Sequence, residues 1–405
     1  MRVLLIGSGG REHALAWKLR QSSELEELHA APGNPGIAQL GECHPVRAED
    51  GEGLLDLARS LNAELVVIGP EAPLVNGVAD ELRHAGLAVF GPSSAAARIE
   101  GSKSFAKDVM RTAGVPTAEV MAVARPPCVI KVDGLSAGKG VFVCPDQQSL
   151  DEALRAASRL DQSLVIEELL DGEEVSLFAL ADGVNAVPLA PARDYKRIRD
   201  GDEGPNTGGM GAFSPVAELS EADAAGLVDS VHRPVLAELA SRGTPFVGLL
   251  YAGLMLTENG PKVLEFNCRF GDPETQAILP RVGSDLLEAL AAAAAGDLEG
   301  VTLDVTGEAA ITVVLAGRDY PAGNDSGTPI NGIEEAETDA LVFHAGTALH
   351  NGRLVTNGGR VLNVTALGES LDAARAKAYA GAARISFDGM QYRRDIAGRS
   401  VEDGT

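Results

Sequence analysis

The sequence predicts a multidomain protein of mixed α/β and α+β class, and three observations carry that reading. Apolar runs at Val3–Ile6, Leu65–Ile68 and Leu87–Phe90, each followed by Gly or Pro, alternate with helical periodicity over 11–21 and 75–86, the pattern of a parallel α/β layer. A chain of 405 residues with 45% hydrophobic content fills roughly two to four domains. From about Ala309 the pattern changes to strands such as Ile311–Leu315 followed by a helix over Leu371–Ile385, a small α+β domain.

In a parallel α/β layer ligands sit beyond the carboxyl ends of the strands, where Gly7–His13, Pro32–Asn34 and Gly69–Pro73 fall. The Gly7-x-Gly9 turn departs from a dinucleotide fingerprint because Glu12 stands at the third glycine position. A glycine turn that opens a helix carrying Arg11 still suits a phosphate, through free N–H groups and the positive end of the helix dipole. A tight turn without a ligand is the plainer alternative.

The next region starts near Gly101-Ser102-Lys103. A strand ending in Lys131 runs into Asp133-Gly134-Leu135-Ser136-Ala137-Gly138-Lys139-Gly140 and returns as Val141–Val143. Glycines let backbone approach phosphate oxygens and the two lysines neutralise them. This is not a Walker A loop, since Gly140 stands where Ser or Thr should follow Lys139; a hairpin with solvated lysines is the alternative. Leu164 to Glu174 reads as strand, bend and strand.

Val263–Glu274 is the most informative stretch. In an extended chain Glu265 and Asn267 point together while Leu264 and Phe266 point to the other side. A carboxylate and an amide oxygen suit Mg²⁺, which is usually completed by waters and substrate phosphates. An edge strand with two solvated polar residues is the bland reading. Downstream, Ala289–Ala295 reads as helix, capped by Ser284 before it and Gly296 after it.

A formal charge of −24 argues against a nucleic-acid or anionic-membrane surface. Cys43, Cys128, Cys144 and Cys268 show no zinc-type spacing, which fits a reduced cytoplasm. Met1 to Gly7 enters a strand instead of a signal peptide, and no apolar run approaches the roughly 18 residues of a membrane span. No nucleophile elbow and no His-rich metal cluster is evident.

Taken in order, Lys103, Lys131 with its glycine loop, Glu167–Glu174 and Glu265-Phe266-Asn267 resemble the ATP-grasp ligases, in which two α+β lobes close on ATP. More narrowly, Gly7–His13, Gly69–Pro73, Asp133–Val141, Gly204–Gly211, Glu265–Glu274 and Thr356–Leu362 resemble the phosphoribosylamine–glycine ligase family over nearly the whole chain. The resemblance implies a preATP-grasp-like amino-terminal α/β substrate domain over 1–102, an ATP-grasp domain over 103–308 with a small lobe at about 115–178, and an α+β domain over 309–405. It implies ligation of glycine to 5-phosphoribosylamine through glycyl phosphate, in purine biosynthesis, with ATP as co-substrate and Mg²⁺ or Mn²⁺ bound. Partners would be small molecules only, with neither nucleic acid nor membrane, and the chain a monomer or weak homo-oligomer. Another ATP-grasp carboxylate–amine ligase or carboxylase, and a non-catalytic nucleotide binder or NAD-dependent oxidoreductase, are the alternatives.

The resemblance also assigns roles. Lys103, Lys131, Gly134, Ser136, Gly138, Lys139, Gly140, Glu167, Glu168, Leu170 and Glu174 would bind ATP, with Glu265 and Asn267 as metal ligands. Asp194, Lys196 and Arg269 are the catalytic candidates, Asp194 toward the amino group of glycine. Gly9, Gly10, Arg11, Glu71, Asn206, Thr207, Gly208, Gly209, Met210, Gly271 and Asp272 would bind substrate. One departure stands out: Arg159–Ser163 joins helix to strand directly where family members carry a longer lid segment, so lid closure is expected to differ.

Overall fold

The computed structural model of the chain describes residues 1–135, 140–159 and 163–398. The amino-terminal layer is a parallel five-stranded sheet of β1 (Arg2–Gly7), β2 (Glu27–Pro32), β3 (Glu42–Cys43), β4 (Leu65–Ile68) and β5 (Val89–Phe90), in the order β3-β2-β1-β4-β5. Helix α1 (Gly10–Leu19) follows the first turn. The helix expected over 75–86 is two, Glu71–Val75 and Val78–His84, because Gly77 at φ 90° breaks the run. The strand expected from Leu87 is shorter, beginning at Val89.

The centre is an antiparallel sheet of Ala186–Pro188, Glu173–Asp182, Val247–Thr257 and Gly260–Asn267. Side chains alternate across β1: Leu4 and Ile6 belong to one core with Val175, Leu250 and Phe266, whereas Val3 and Leu5 belong to another with Phe178, Leu180 and Tyr251. Both faces of the first layer are thus buried in cores shared with the central sheet, which fixes the two against each other. A smaller sheet of Val141–Cys144, Cys128–Val132 and Leu164–Glu168 has its own core of Cys128, Ile130, Cys144, Leu150 and Ala153.

The carboxyl-terminal sheet runs Arg193–Asp194, Gly211–Ser214, Ala309–Ala316, Arg360–Gly368, Leu341–His344. Its first two strands precede residue 309, so the short segment bearing Asp194 is paired through Gly211–Ser214 to the last domain. The final helix spans Leu371–Ala382, shorter than the expected reach to Ile385. The helix Leu286–Ala295 is capped by Asp285, whose carboxylate accepts from Leu287 N and Glu288 N; Ser284, the expected cap, instead accepts from Asp304 N. Gly296 ends that helix at φ 79°, as its type suggests. Among the described residues no helix is long and apolar enough to cross a membrane.

Candidate active site

A cleft of about 320 Å³ lies where the first layer, the small sheet, the central sheet and the carboxyl-terminal domain meet. Its floor is the strand Gly260–Asn267, which departs from simple alternation. Gly253 pairs with Glu265 and Leu254 with Val263, so Leu264 is an extra residue and the strand bulges there. Val263 and Phe266 are buried in the core, and Leu264, expected to point with Phe266, is only half-buried and joins Glu265, Phe266 and Asn267 in lining the cleft. The bulge also turns the Leu264 carbonyl onto Lys131, which donates to it at 2.7 Å.

Glu265 is half-buried on the cleft floor, where loss of water raises a carboxyl pKa, yet the ammonium groups of Lys196, Lys131 and Lys103 hold it below its ordinary value and keep it ionised. The Asn267 amide nitrogen donates to Glu100 Oε1 at 3.3 Å and to Phe266 O at 3.1 Å, so its oxygen is the atom able to ligate a metal. An ionised carboxylate and an amide oxygen two positions apart form a hard-oxygen pair of the kind Mg²⁺ takes.

The lysines are positioned by buried partners. Lys131 and Lys107 clasp Glu167 at 2.8 and 2.9 Å, and Lys107 is tied to Thr117 Oγ1 and Ala118 O. Glu167, expected at an adenine hinge, has its carboxylate between these two lysines. Lys103 donates to Gly134 O at 2.8 Å, and its backbone N–H donates to Asp133 Oδ1 at 2.6 Å. Desolvation lowers the Lys103 pKa. Gly140 lines the same cleft, whereas Ser136, Gly138 and Lys139 lie outside the described residues.

On the opposite wall Arg269 donates to Glu71 at 3.1 Å and pairs with Glu100 at 3.1 Å. Burial works to raise the Glu71 pKa, but Arg269 and Arg11 outweigh it and bring it to about 2. Glu100 escaped the sequence reading; it accepts from Cys268 N at 2.8 Å and sits behind both Asn267 and Arg269. No motif marks it, since it ends a helix far away in sequence.

The glycine turn differs from the expected open phosphate nest. Glu12 accepts from Gly9 N at 2.6 Å and pairs with Arg11 at 2.5 Å, so that N–H is already engaged. A Cβ at Gly7 or Gly69 would fall 2.5 or 2.1 Å from the Glu12 side chain, so the turn is shaped around this glutamate. Arg11 and Glu71 line the cleft; Gly10 packs where a Cβ would meet Asn363 and Gln276.

A second cluster adjoins Glu265. Lys196 pairs with Glu174 and lies 4.0 Å from Asp194. Burial pushes the Asp194 carboxyl up to about 8, with Lys196 opposing and Glu274, Glu174 and Glu265 adding to the rise. Burial also raises Glu274, which accepts from Ser176 at 3.4 Å. One ammonium among these carboxylates leaves room for a further cation.

The Thr207–Gly211 loop owes its glycines to protein neighbours. Gly209 has φ 109° and a Cβ there would sit 2.4 Å from Pro273; at Gly208 it would crowd Arg360 and Tyr320. Arg360, from the last domain, donates to Gly208 O at 2.6 Å and Asp272 O at 2.8 Å and pairs with the Asp272 carboxylate at 3.3 Å. Gly208 and Asp272 face the cleft. Met210 is fully buried, Thr207 accepts from Gly209 N, and Gly271 O accepts from Thr275. Asn206 lines a different cavity, beside Phe142 and Pro321. Glu168 is held by Lys262 at 2.7 Å, and Leu170 lies in the bend between the strands Leu164–Glu168 and Glu173–Asp182.

Three family models described as the N, ATP-grasp (A) and C domains of phosphoribosylglycinamide synthetase match residues 1–100, 101–275 and 310–399. The chain belongs to the phosphoribosylglycinamide synthetase family. A phosphoribosylamine–glycine ligase of Streptomyces coelicolor is 51% identical over 418 residues, covering 99% of this chain and all of that one. A trifunctional purine biosynthetic protein of Gallus gallus is 45% identical, with 99% of this chain matching 42% of that protein. The crystal structure of phosphoribosylamine–glycine ligase from Thermotoga maritima superposes with a TM-score of 0.83 at 36% identity, covering 98% of this chain and 100% of that one. The biotin carboxylase domain of a Hydrogenobacter thermophilus carboxylase, at 16% identity and TM-score 0.71 over 96% of this chain and 91% of that one, shares the fold with the family.

Proposed function

We propose that the chain is an ATP-dependent ligase that joins glycine to 5-phosphoribosylamine, giving glycinamide ribonucleotide, ADP and phosphate. The observation that carries this is the full-length match to phosphoribosylamine–glycine ligases together with a cleft that gathers Lys103, Lys131, Glu265, Asn267 and Arg269 from separate segments. The glycine carboxylate attacks the γ-phosphorus, and the amine of phosphoribosylamine then displaces phosphate from glycyl phosphate. No protein nucleophile is required, and positioning and charge neutralisation supply the rate.

Lys103 and Lys131 face the triphosphate, and Gly134, Ser136, Gly138, Lys139 and Gly140 are assigned to the same ATP-binding role. Glu265 and Asn267 would hold Mg²⁺ or Mn²⁺, which when bound neutralises phosphate charge as a Lewis acid. Asp194 and its acidic neighbours receive the ammonium of glycine, and Lys196 keeps Glu174 and Asp194 aligned. Arg269, oriented by Glu71 and Glu100, offers paired donors to a carboxylate or acyl phosphate. Glu167, Glu168, Leu170 and Glu174 border the nucleoside side; Arg11, Glu71, Gly208 and Asp272 border phosphoribosylamine, with Gly9, Gly10, Thr207, Gly209, Met210 and Gly271 shaping the wall behind them and Asn206 in the neighbouring cavity.

A coupled assay for ADP release tests the reading. Release that requires both glycine and phosphoribosylamine supports it, whereas turnover with a different carboxylate or acceptor, or ATP binding without turnover, defeats it.

A further inference from the structure

Outside the residues that line the cleft, the outer edge of the first sheet brings three nitrogen and oxygen donors together. β3 is the edge strand and runs parallel to β2, with His29 opposite Glu42. Alternation returns residue 44 to the side of residue 42, so His44 arrives next to His29. Nδ1 of His29 is 3.1 Å from Nε2 of His44 and 3.9 Å from Oε2 of Glu42. One ligand atom from each of the three residues lies within 4.8 Å of the other two. Metal–ligand bonds of about 2.0–2.1 Å in a tetrahedron put donors roughly 3.3 Å apart, close to this spacing.

Behind the cluster Nε2 of His29 lies 3.4 Å from Oε2 of Glu27. A carboxylate on the far nitrogen of an imidazole fixes the tautomer and leaves Nδ1 as a bare lone pair, the arrangement that supports metal-bound histidines. Two imidazole nitrogens facing each other at this distance need a proton or a cation between them. His29 is buried, His44 is half-buried and Glu42 is exposed, so an ion has an approach from solvent.

We propose that His29, Glu42 and His44 form a site for a borderline divalent ion of the Zn²⁺ class, completed by water. Two imidazoles and one carboxylate select such ions, in contrast to the all-oxygen pair Glu265 and Asn267, which suits Mg²⁺. The bound ion would pin the two-residue edge strand to β2.

The untagged full chain, stripped with chelator and held in excess Mg²⁺, is titrated with Zn²⁺ by calorimetry and with Co²⁺ by visible absorption. One equivalent of Zn²⁺, tetrahedral-type Co²⁺ bands and a Zn²⁺-dependent rise in melting temperature are expected. His44→Ala and Glu42→Gln, both at accessible positions, should each weaken Zn²⁺ binding at least about tenfold and leave ligase activity in Mg²⁺ unchanged. Cys43→Ser should bind Zn²⁺ like the parent. Absence of uptake, or uptake that survives His44→Ala, overturns the proposal and leaves a proton-bridged histidine pair; uptake lost in Cys43→Ser overturns it in favour of a thiolate site.

Discussion

At the scale of single residues, the cleft works through charges that cannot all be satisfied by one another. Glu265 is kept ionised by three lysines, whereas Asp194 holds a proton up to about pH 8 because burial and neighbouring carboxylates outweigh Lys196. Replacing Glu265 with Gln keeps the shape and removes the charge, so kcat for ADP release should fall by at least about 10²-fold while the far-ultraviolet spectrum and melting temperature stay near the parent's. For Asp194 the sign follows from the proton: an arriving ammonium prefers the ionised carboxyl, so KM for glycine should fall as pH rises toward and through about 8. Asp194→Asn should raise KM for glycine and flatten that pH dependence; an unchanged profile would remove Asp194 from the glycine site. These residue types were legible from sequence, since alternation alone placed Glu265 beside Asn267. The bulge at Leu264 and the support from Glu100 were not, because both depend on pairing with a distant strand and helix.

Elements show how loops become walls. The Thr207–Gly211 loop is pinned by Arg360, a residue that reaches across from the last domain to two carbonyls and one carboxylate. Hydrogen bonds to a charged group contribute about 1.5–3 kcal/mol each, so Arg360→Ala should lower the melting temperature measurably and raise KM for phosphoribosylamine. Arg360→Lys should rescue little, because one ammonium cannot replace a planar fork. The small sheet packs on a core of five buried residues separate from the larger cores. Its amides should exchange with deuterium faster than those of Val247–Thr257 and slow down when an ATP analogue is added.

For the whole molecule, the joint between first and last domains is built on a buried neutral histidine. His344 N donates to His13 Nδ1 at 2.7 Å, and Asn34 donates to His344 O at 2.8 Å. Burial and the neighbouring His344 lower His13 to about 3, and burial lowers His344 and His232 to about 4. Each of these groups takes up a proton on unfolding below its ordinary value near 6.5. What these histidines contribute to stability is therefore constant above that pH and lost as pH falls from it toward about 4, at about 1.4 kcal/mol per pH unit for each. Denaturant midpoints at pH 7.5 and 5.5 should show this loss, and His13→Gln should reduce the slope. By itself the sequence determined the class of each layer, the order of the glycine- and lysine-bearing motifs and the acid–amide pair, because strand period, glycine turns and charged residue types act over a few positions. Only the tertiary structure decided which groups meet: Arg269 with Glu100, Lys131 with Glu167, Arg360 with Asp272 and His13 with the His344 backbone. Such pairings depend on burial and on contacts between segments far apart in the chain, which no local pattern encodes.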